Sequence, residues 1–298
     1  MTTFATTTAM DKVTTDARTH AESAFTWLFV PGDRPERFDK AAGSGADAVV
    51  IDMEDAVAPT MKPTARRSAL EYVATKPAYV RINGTDTAFF ADDLDGVASA
   101  GKGLRGVVLP KSERAEQFAE LDRRLPVGVV VIALVETPAG ILGSQEIAKA
   151  PRVTRLAFGS ADFLLDTEIE DEQHGLLLAR SELVLAARAA GLVGPIDGIT
   201  TTLDNPKAVT RDAENGRRLG FAGKLCIHPR QVGPAARGFA PSATDYSWAQ
   251  RVIEAAAASD GAAVRVDGEM IDKPRLARAR SIVERHRRLA AAIEMLET

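Results

Sequence analysis

Between Thr26 and Ile227, eight short runs of apolar and β-branched residues alternate with alanine- and arginine-rich stretches of helical character. Parallel neighbours need a long crossover, usually a helix, so this alternation commits the chain to a parallel sheet covered by helices, of class α/β. The predicted strands are Thr26–Val30, Ala48–Asp52, Ala78–Ile82, Gly106–Leu109, Val129–Leu134, Arg155–Phe158, Gly194–Ile199 and Lys224–Ile227. Eight βα units predict a (β/α)8 barrel of the TIM type, with an open doubly wound sheet as the alternative. No Pro/Ser-rich linker interrupts the series. The expected organisation is a flexible N-terminal tail over 1–24, a barrel over 25–244, and a C-terminal helical lid and oligomerisation segment over 245–298.

Composition narrows the function classes. The chain has 298 residues, 37 basic and 41 acidic, for a net charge of −4, against the basic excess typical of nucleic-acid binders. Its longest apolar runs, such as Val127–Leu134, fall short of the ~18 residues of a membrane span. A single cysteine excludes a disulfide framework and suits a reducing compartment. The threonine-rich first 24 residues hold Asp11, Asp16 and Glu22 and no apolar core, unlike a signal or transit peptide. A cytoplasmic location is expected.

Barrel chemistry sits at the C-terminal ends of strands, and here those ends are polar. Strand two runs into Asp52-Met53-Glu54-Asp55, strand three holds Arg81 and Asn83, and strand four ends in Pro110-Lys111. Strand five leads to Glu136-Thr137-Pro138, strand six to Gly159-Ser160-Ala161-Asp162, and strand eight to His228-Pro229. The two-residue period places Val49, Ile51, Val80 and Ile82 towards the helices, and Asp52, Glu54, Arg81 and Asn83 towards the interior. A lone acid after a strand is usually a helix cap or a loop ion-pair partner. Glu136 and Asp162 carry more information as a pair, because neighbouring strand ends bring two carboxylates to one hard cation. Mg²⁺ needs no more protein ligands than that, since it keeps waters and takes substrate oxygens.

Other motifs carry less. Gly101-Lys102-Gly103-Leu104-Arg105-Gly106 fits G-x-G-x-x-G but precedes a strand, where a dinucleotide loop must follow one. The histidines at 20, 174, 228 and 286 form no HExxH. Cys226 and His228 share a strand face, yet a cysteine in a late strand is more often packing than nucleophile. Lys273, Arg275, Arg278, Arg280, Arg285, Arg287 and Arg288 read as a solvated helix face.

Eight segments, in order from residue 29 to 272, together resemble the citrate lyase β-subunit-like acyl-CoA lyases of the HpcH/HpaI aldolase/citrate lyase family. They are Phe29–Phe38, Ile51–Val57, Val80–Gly84, Leu109–Lys111, Val135–Gly140, Phe158–Asp162, Gly223–Pro229 and Gly268–Asp272. The resemblance implies a barrel that cleaves or forms a C–C bond beside a thioester, with Mg²⁺, or Mn²⁺ in its place, on Glu136 and Asp162. It implies Glu54 and Asp55 holding metal-bound waters, Arg81 meeting the substrate carboxylate or developing oxyanion, and Asp272 acting as acid/base in a neighbouring subunit's barrel. A homotrimer or dimer of trimers follows from that last role.

The expected substrates are a 3-hydroxyacyl-CoA such as malyl-CoA or citramalyl-CoA, cleaved to acetyl-CoA or a related acyl-CoA and a 2-oxoacid. CoA phosphates are expected near Arg34, Arg37 and Lys40, clustered after strand one. The competing readings are a citryl thioester lyase subunit served by an acyl-carrier protein, an aldolase on free hydroxyacids, and a non-catalytic acyl-CoA-binding barrel.

Overall fold

The computed structural model describes residues 9–172, 174–258 and 264–297. Its strands β1 (Thr26–Pro31), β2 (Ala48–Asp52), β3 (Ala78–Arg81), β4 (Leu104–Leu109), β5 (Val130–Val135), β6 (Val153–Phe158), β7 (Ile196–Asp197) and β8 (Gly223–Cys226) close into one barrel in sequence order. Every neighbouring pair is parallel, including β8 with β1. The closure replaces the doubly wound alternative. The helices are α1 (Ala9–Ser23), α2 (Phe38–Ala42), α3 (Lys62–Val73), α4 (Phe90–Ala98), α5 (Phe118–Arg124), α6 (Pro138–Leu142), α7 (Ser144–Ile147), α8 (Ser160–Thr167), α9 (Leu177–Ala189), α10 (Pro206–Leu219), α11 (Val232–Phe239), α12 (Ala243–Ala258) and α13 (Lys273–Glu297).

Strand parity divides the core in two. Trp27, Val50, Tyr79, Val108, Ile132, Leu134, Ile196 and Leu225 fill the barrel interior. Leu28, Val49, Ile51, Val80, Val107, Val131 and Leu156 pack outward with Ala69 of α3, Val97 of α4 and Leu183 of α9. Gly103 lies in the turn before β4, where a Cβ would stand 2.2 Å from the Lys76 carbonyl oxygen, so the glycines of that run serve a tight chain approach. Cys226 lies in the outward layer, fully buried, and burial pushes its thiol up to about 12, which removes it as a nucleophile.

The N-terminal segment departs from expectation. Residues 1–8 lie outside the described residues, but 9–23 form α1 in place of a loose tail. Ala17, Ala21 and Ala24 enter the interior cluster with Trp27 and Tyr79 near the strand beginnings, so this segment closes the end of the barrel opposite the polar strand ends. Arg155 of β6, fully buried, anchors it by donating to the carbonyls of Ala21 and Ala24 at 2.8 and 2.6 Å, the last turn where helical carbonyls lack partners. His20 Nδ1 lies 2.9 Å from the Tyr79 hydroxyl.

At the other end of the chain, β9 (Val264–Val266) and β10 (Glu269–Ile271) form an antiparallel hairpin whose Val266 and Ile271 pack with Ala249 and Val252 of α12 and Ala279 of α13. Among the described residues no helix is long and apolar enough to cross a membrane.

Candidate active site

The polar strand ends surround a cavity of about 340 Å³ lined by Asp52, Asp55, Arg81, Glu136, Ser160 and Asp162, over a wall of Phe29, Leu134, Phe158, Ile199, Leu225 and Ile227. Arg81 closes β3 with an inward side chain, as parity requires. Its guanidinium forks onto Asp52, Nε to Oδ1 at 2.7 Å and Nη2 to Oδ2 at 2.5 Å, and Nη1 lies 2.9 Å from Glu54 Oε2. It also stands over the Phe29 ring, 4.8 Å from the centroid. Burial works against its charge, but Asp52, Glu54 and Glu136 hold it above its ordinary range.

Glu136 follows β5 and is 1 % exposed. Its Oε1 accepts the Lys111 N–H at 2.8 Å, and its Oε2 has no hydrogen-bond partner among the described residues. Lys111 reaches that position in a left-handed conformation, φ 46°, unusual for a residue with a Cβ and a sign of local strain. Thr137 caps the following turn, its hydroxyl oxygen accepting the Gly140 N–H at 3.1 Å, and Pro138 at the first helical position suits the same cap. Gly159 faces Glu136 from β6's end, and a Cβ there would meet Oε2 at 2.3 Å, so only glycine leaves the carboxylate its place. Asp162 sits in the first turn of α8.

Burial first, and then the charge of Asp162, push the Glu136 carboxyl up to about 8. Glu54 rises to about 7 by burial, opposed by Arg81. A buried carboxylate oxygen with no donor, beside a second acid, is an arrangement that a cation would stabilise. Among the described residues no three potential ligands converge. A cation on Glu136 and Asp162 would draw its other ligands from water and substrate, the habit of Mg²⁺.

Asp55, Arg81, Glu136 and Asp162, expected at the strand ends from the sequence, all line this cavity. Glu54 stands behind, buried against Arg81. Asn83 departs from its expected inward direction: β3 ends at Arg81, so the two-residue period no longer applies. The Asn83 amide turns outward and donates to Asp93 of α4 at 2.5 Å. Arg37 and Lys40 line an adjoining cavity of about 510 Å³ that shares Phe29, Pro31 and Ile227 with the first, whereas Arg34 is exposed and outside both. Asp272 is exposed and absent from the cavity wall of its own barrel, and its Oδ1 accepts the Arg275 N–H at 3.0 Å as a cap of α13. Asp52 and Lys111 have positions at strand ends but no role legible in the sequence, and the structure supplies one for each: Asp52 holds Arg81, and the Lys111 N–H holds Glu136. Asp52's inward parity was the available signal.

A closed parallel barrel with converging acids and one paired arginine at its strand ends defines a barrel enzyme of acid–base or metal-assisted chemistry. The chain belongs to the HpcH/HpaI aldolase/citrate lyase family, whose profile matches residues 26–229, and so to a group of carbon–carbon lyases. It is 38% identical over 273 residues to a citrate lyase subunit beta-like protein of Deinococcus radiodurans, covering 86% of this chain and 95% of that one. It is 33% identical over 275 residues to a (3S)-malyl-CoA thioesterase of Cereibacter sphaeroides, covering 89% and 95%. The crystal structure of CitE from Mycobacterium tuberculosis in complex with magnesium, acetoacetate and coenzyme A superposes with a TM-score of 0.78 at 34% identity, covering 89% of this chain and 99% of that one.

Proposed function

We propose that the protein is a Mg²⁺-dependent lyase that cleaves or forms a 3-hydroxyacyl-CoA such as malyl-CoA or citramalyl-CoA, releasing acetyl-CoA or a related acyl-CoA and a 2-oxoacid. The observation that carries this reading is the unpartnered, buried Glu136 Oε2 beside Asp162 in the cavity at the strand ends. The magnesium and coenzyme A of the similar CitE complex support it.

Glu136 and Asp162 would hold the cation, with Glu54 and Asp55 accepting hydrogen bonds from water around it. When bound, Mg²⁺ supplies Lewis-acid polarisation and charge for the enolate that C2–C3 cleavage generates. Arg81 adds fixed positive charge at the same place, already oriented by Asp52 and Glu54. A base must take the proton from the C3 hydroxyl, or in condensation from the thioester methyl. We assign that base to Asp272 of a neighbouring subunit in a homotrimer or dimer of trimers, since the barrel's acids are committed to cation and arginine. Among the described residues Arg81 is the only cation on the cavity wall, and beyond the acids and Ser160 that wall is apolar, with Phe29, Leu134, Ile199 and Leu225. That wall suits an oxoacid with one carboxylate, glyoxylate or pyruvate, over the oxaloacetate that a citryl thioester would yield.

The cavity carrying Arg37 and Lys40 opens beside the first and is where the CoA phosphates would lie. Arg37→Ala and Lys40→Ala are each expected to weaken acyl-CoA binding roughly tenfold, the loss of one partly exposed charge-assisted contact. Calorimetric titration with Mg²⁺ present checks this. Absence of any CoA or acyl-CoA binding to the wild-type protein would remove the thioester from the reading.

A further inference from the structure

We infer that Lys62, at the start of α3, is a positioning residue that fixes the acidic loop after β2 by clamping its main chain from behind. The inference rests on the lyase reading above for its kinetic arm. The Lys62 ammonium is buried and makes no ion pair among the described residues. It donates instead to the Met53 and Glu54 carbonyls at 2.9 and 2.8 Å, with the Phe89 ring centroid 5.6 Å away. Burying an ammonium against two peptide carbonyls is costly, and strand–helix packing alone would be served by a leucine.

What the charge holds is the segment that carries Glu54. Asp52 grips this segment from the cavity side, its Oδ1 accepting the Glu54 N–H at 2.9 Å while the same carboxylate binds Arg81. A second support reaches the same carbonyl from behind. Asn83 Nδ2 donates to the Met53 oxygen at 3.1 Å, Asp93 Oδ2 fixes Asn83 through its backbone N–H at 2.9 Å, and Arg66 Nε fixes Asp93 at 2.7 Å. Lys62 and Arg66, one helical turn apart on α3, therefore converge on one loop. The buried positive charge also lies among Asp52, Glu54, Asp55 and Asp93, whose fields favour its protonation against the burial that lowers it. The loop thus presents Glu54 to Arg81 at 2.9 Å with its peptide plane held from both sides.

Outer groups of this kind typically account for about 10–100-fold in metal affinity or activity. Lys62→Met is expected to lower kcat by about that factor with KM for the acyl-CoA little changed, and to weaken Mg²⁺ binding measured by calorimetry. Lys62→Arg, which retains charge and donors, should recover part of both. In a double-mutant cycle, Lys62→Met should add little to the loss caused by Glu54→Gln, because both act through one loop, whereas a general stability role gives additive losses. Folded Lys62→Met protein with wild-type kcat and Mg²⁺ affinity, or additive losses, would overturn the inference. Wild-type protein without turnover would remove the lyase reading, and the Mg²⁺ affinities of wild type and Lys62→Met would still decide the role of the clamp.

Discussion

Glu136→Gln is expected to lower turnover by roughly 10³-fold or more while leaving the protein folded and, without metal at high pH, more stable than the wild type. The two effects share one cause. The Glu136 carboxyl is raised from 4.5 to about 8, so the folded, metal-free protein binds that proton more tightly than the unfolded chain. Stability from this group is then greatest below pH 4.5 and falls as pH rises through the window up to about 8, where the folded carboxyl must ionise against burial and Asp162. Glutamine removes the cost along with the charge. Mg²⁺ binding must displace the same proton, so apparent affinity should rise about tenfold per pH unit below about 8 and level off above it. Thermal unfolding of both proteins at pH 6 and 8.5, with and without Mg²⁺, reads all of this. A Mg²⁺ stabilisation in Glu136→Gln equal to the wild type's, or one that shrinks with pH in the wild type, would remove Glu136 from the metal site.

Asp272→Ala is expected to lose about 10²–10⁴-fold in turnover, the usual contribution of one positioned acid or base. The local structure gives Asp272 a second duty as the cap of α13, worth about 1 kcal/mol, so a small fall in Tm is expected as well. The two duties separate by complementation. Mixing Asp272→Ala with Glu136→Gln under conditions of proven subunit exchange should restore activity, since some interfaces then join an intact cavity to an intact Asp272. Exchange without recovery would mean that Asp272 serves its own barrel or is only a cap.

Most of the barrel was legible because its signal is local and repeated. Each strand is a run whose parity survives burial, and each predicted span overlaps the observed one. The same parity placed Asp52 and Arg81 inward for as long as the strand continued, and failed at Asn83, one pleat past the end of β3. The N-terminal helix was missed for a different reason. Its threonine-rich sequence has little intrinsic helical preference, and its support comes from Arg155, more than 130 positions away, and from alanines whose value lies in fitting the barrel floor. Lys62 was equally silent, because a lysine after Pro59 in a polar stretch reads as solvated until the fold turns it beneath the loop. Arg34, Arg37 and Lys40 looked alike in sequence, and only the path of the chain after β1 separates Arg34 from the other two.

Purified protein offered malyl-CoA, citramalyl-CoA and the corresponding free hydroxyacids, with Mg²⁺ and with chelator, should release a 2-oxoacid and a shortened acyl-CoA in equal amounts from a thioester only, and only with the metal. Turnover of the free acids at comparable rates, or thioester cleavage undiminished by chelation, would contradict the account.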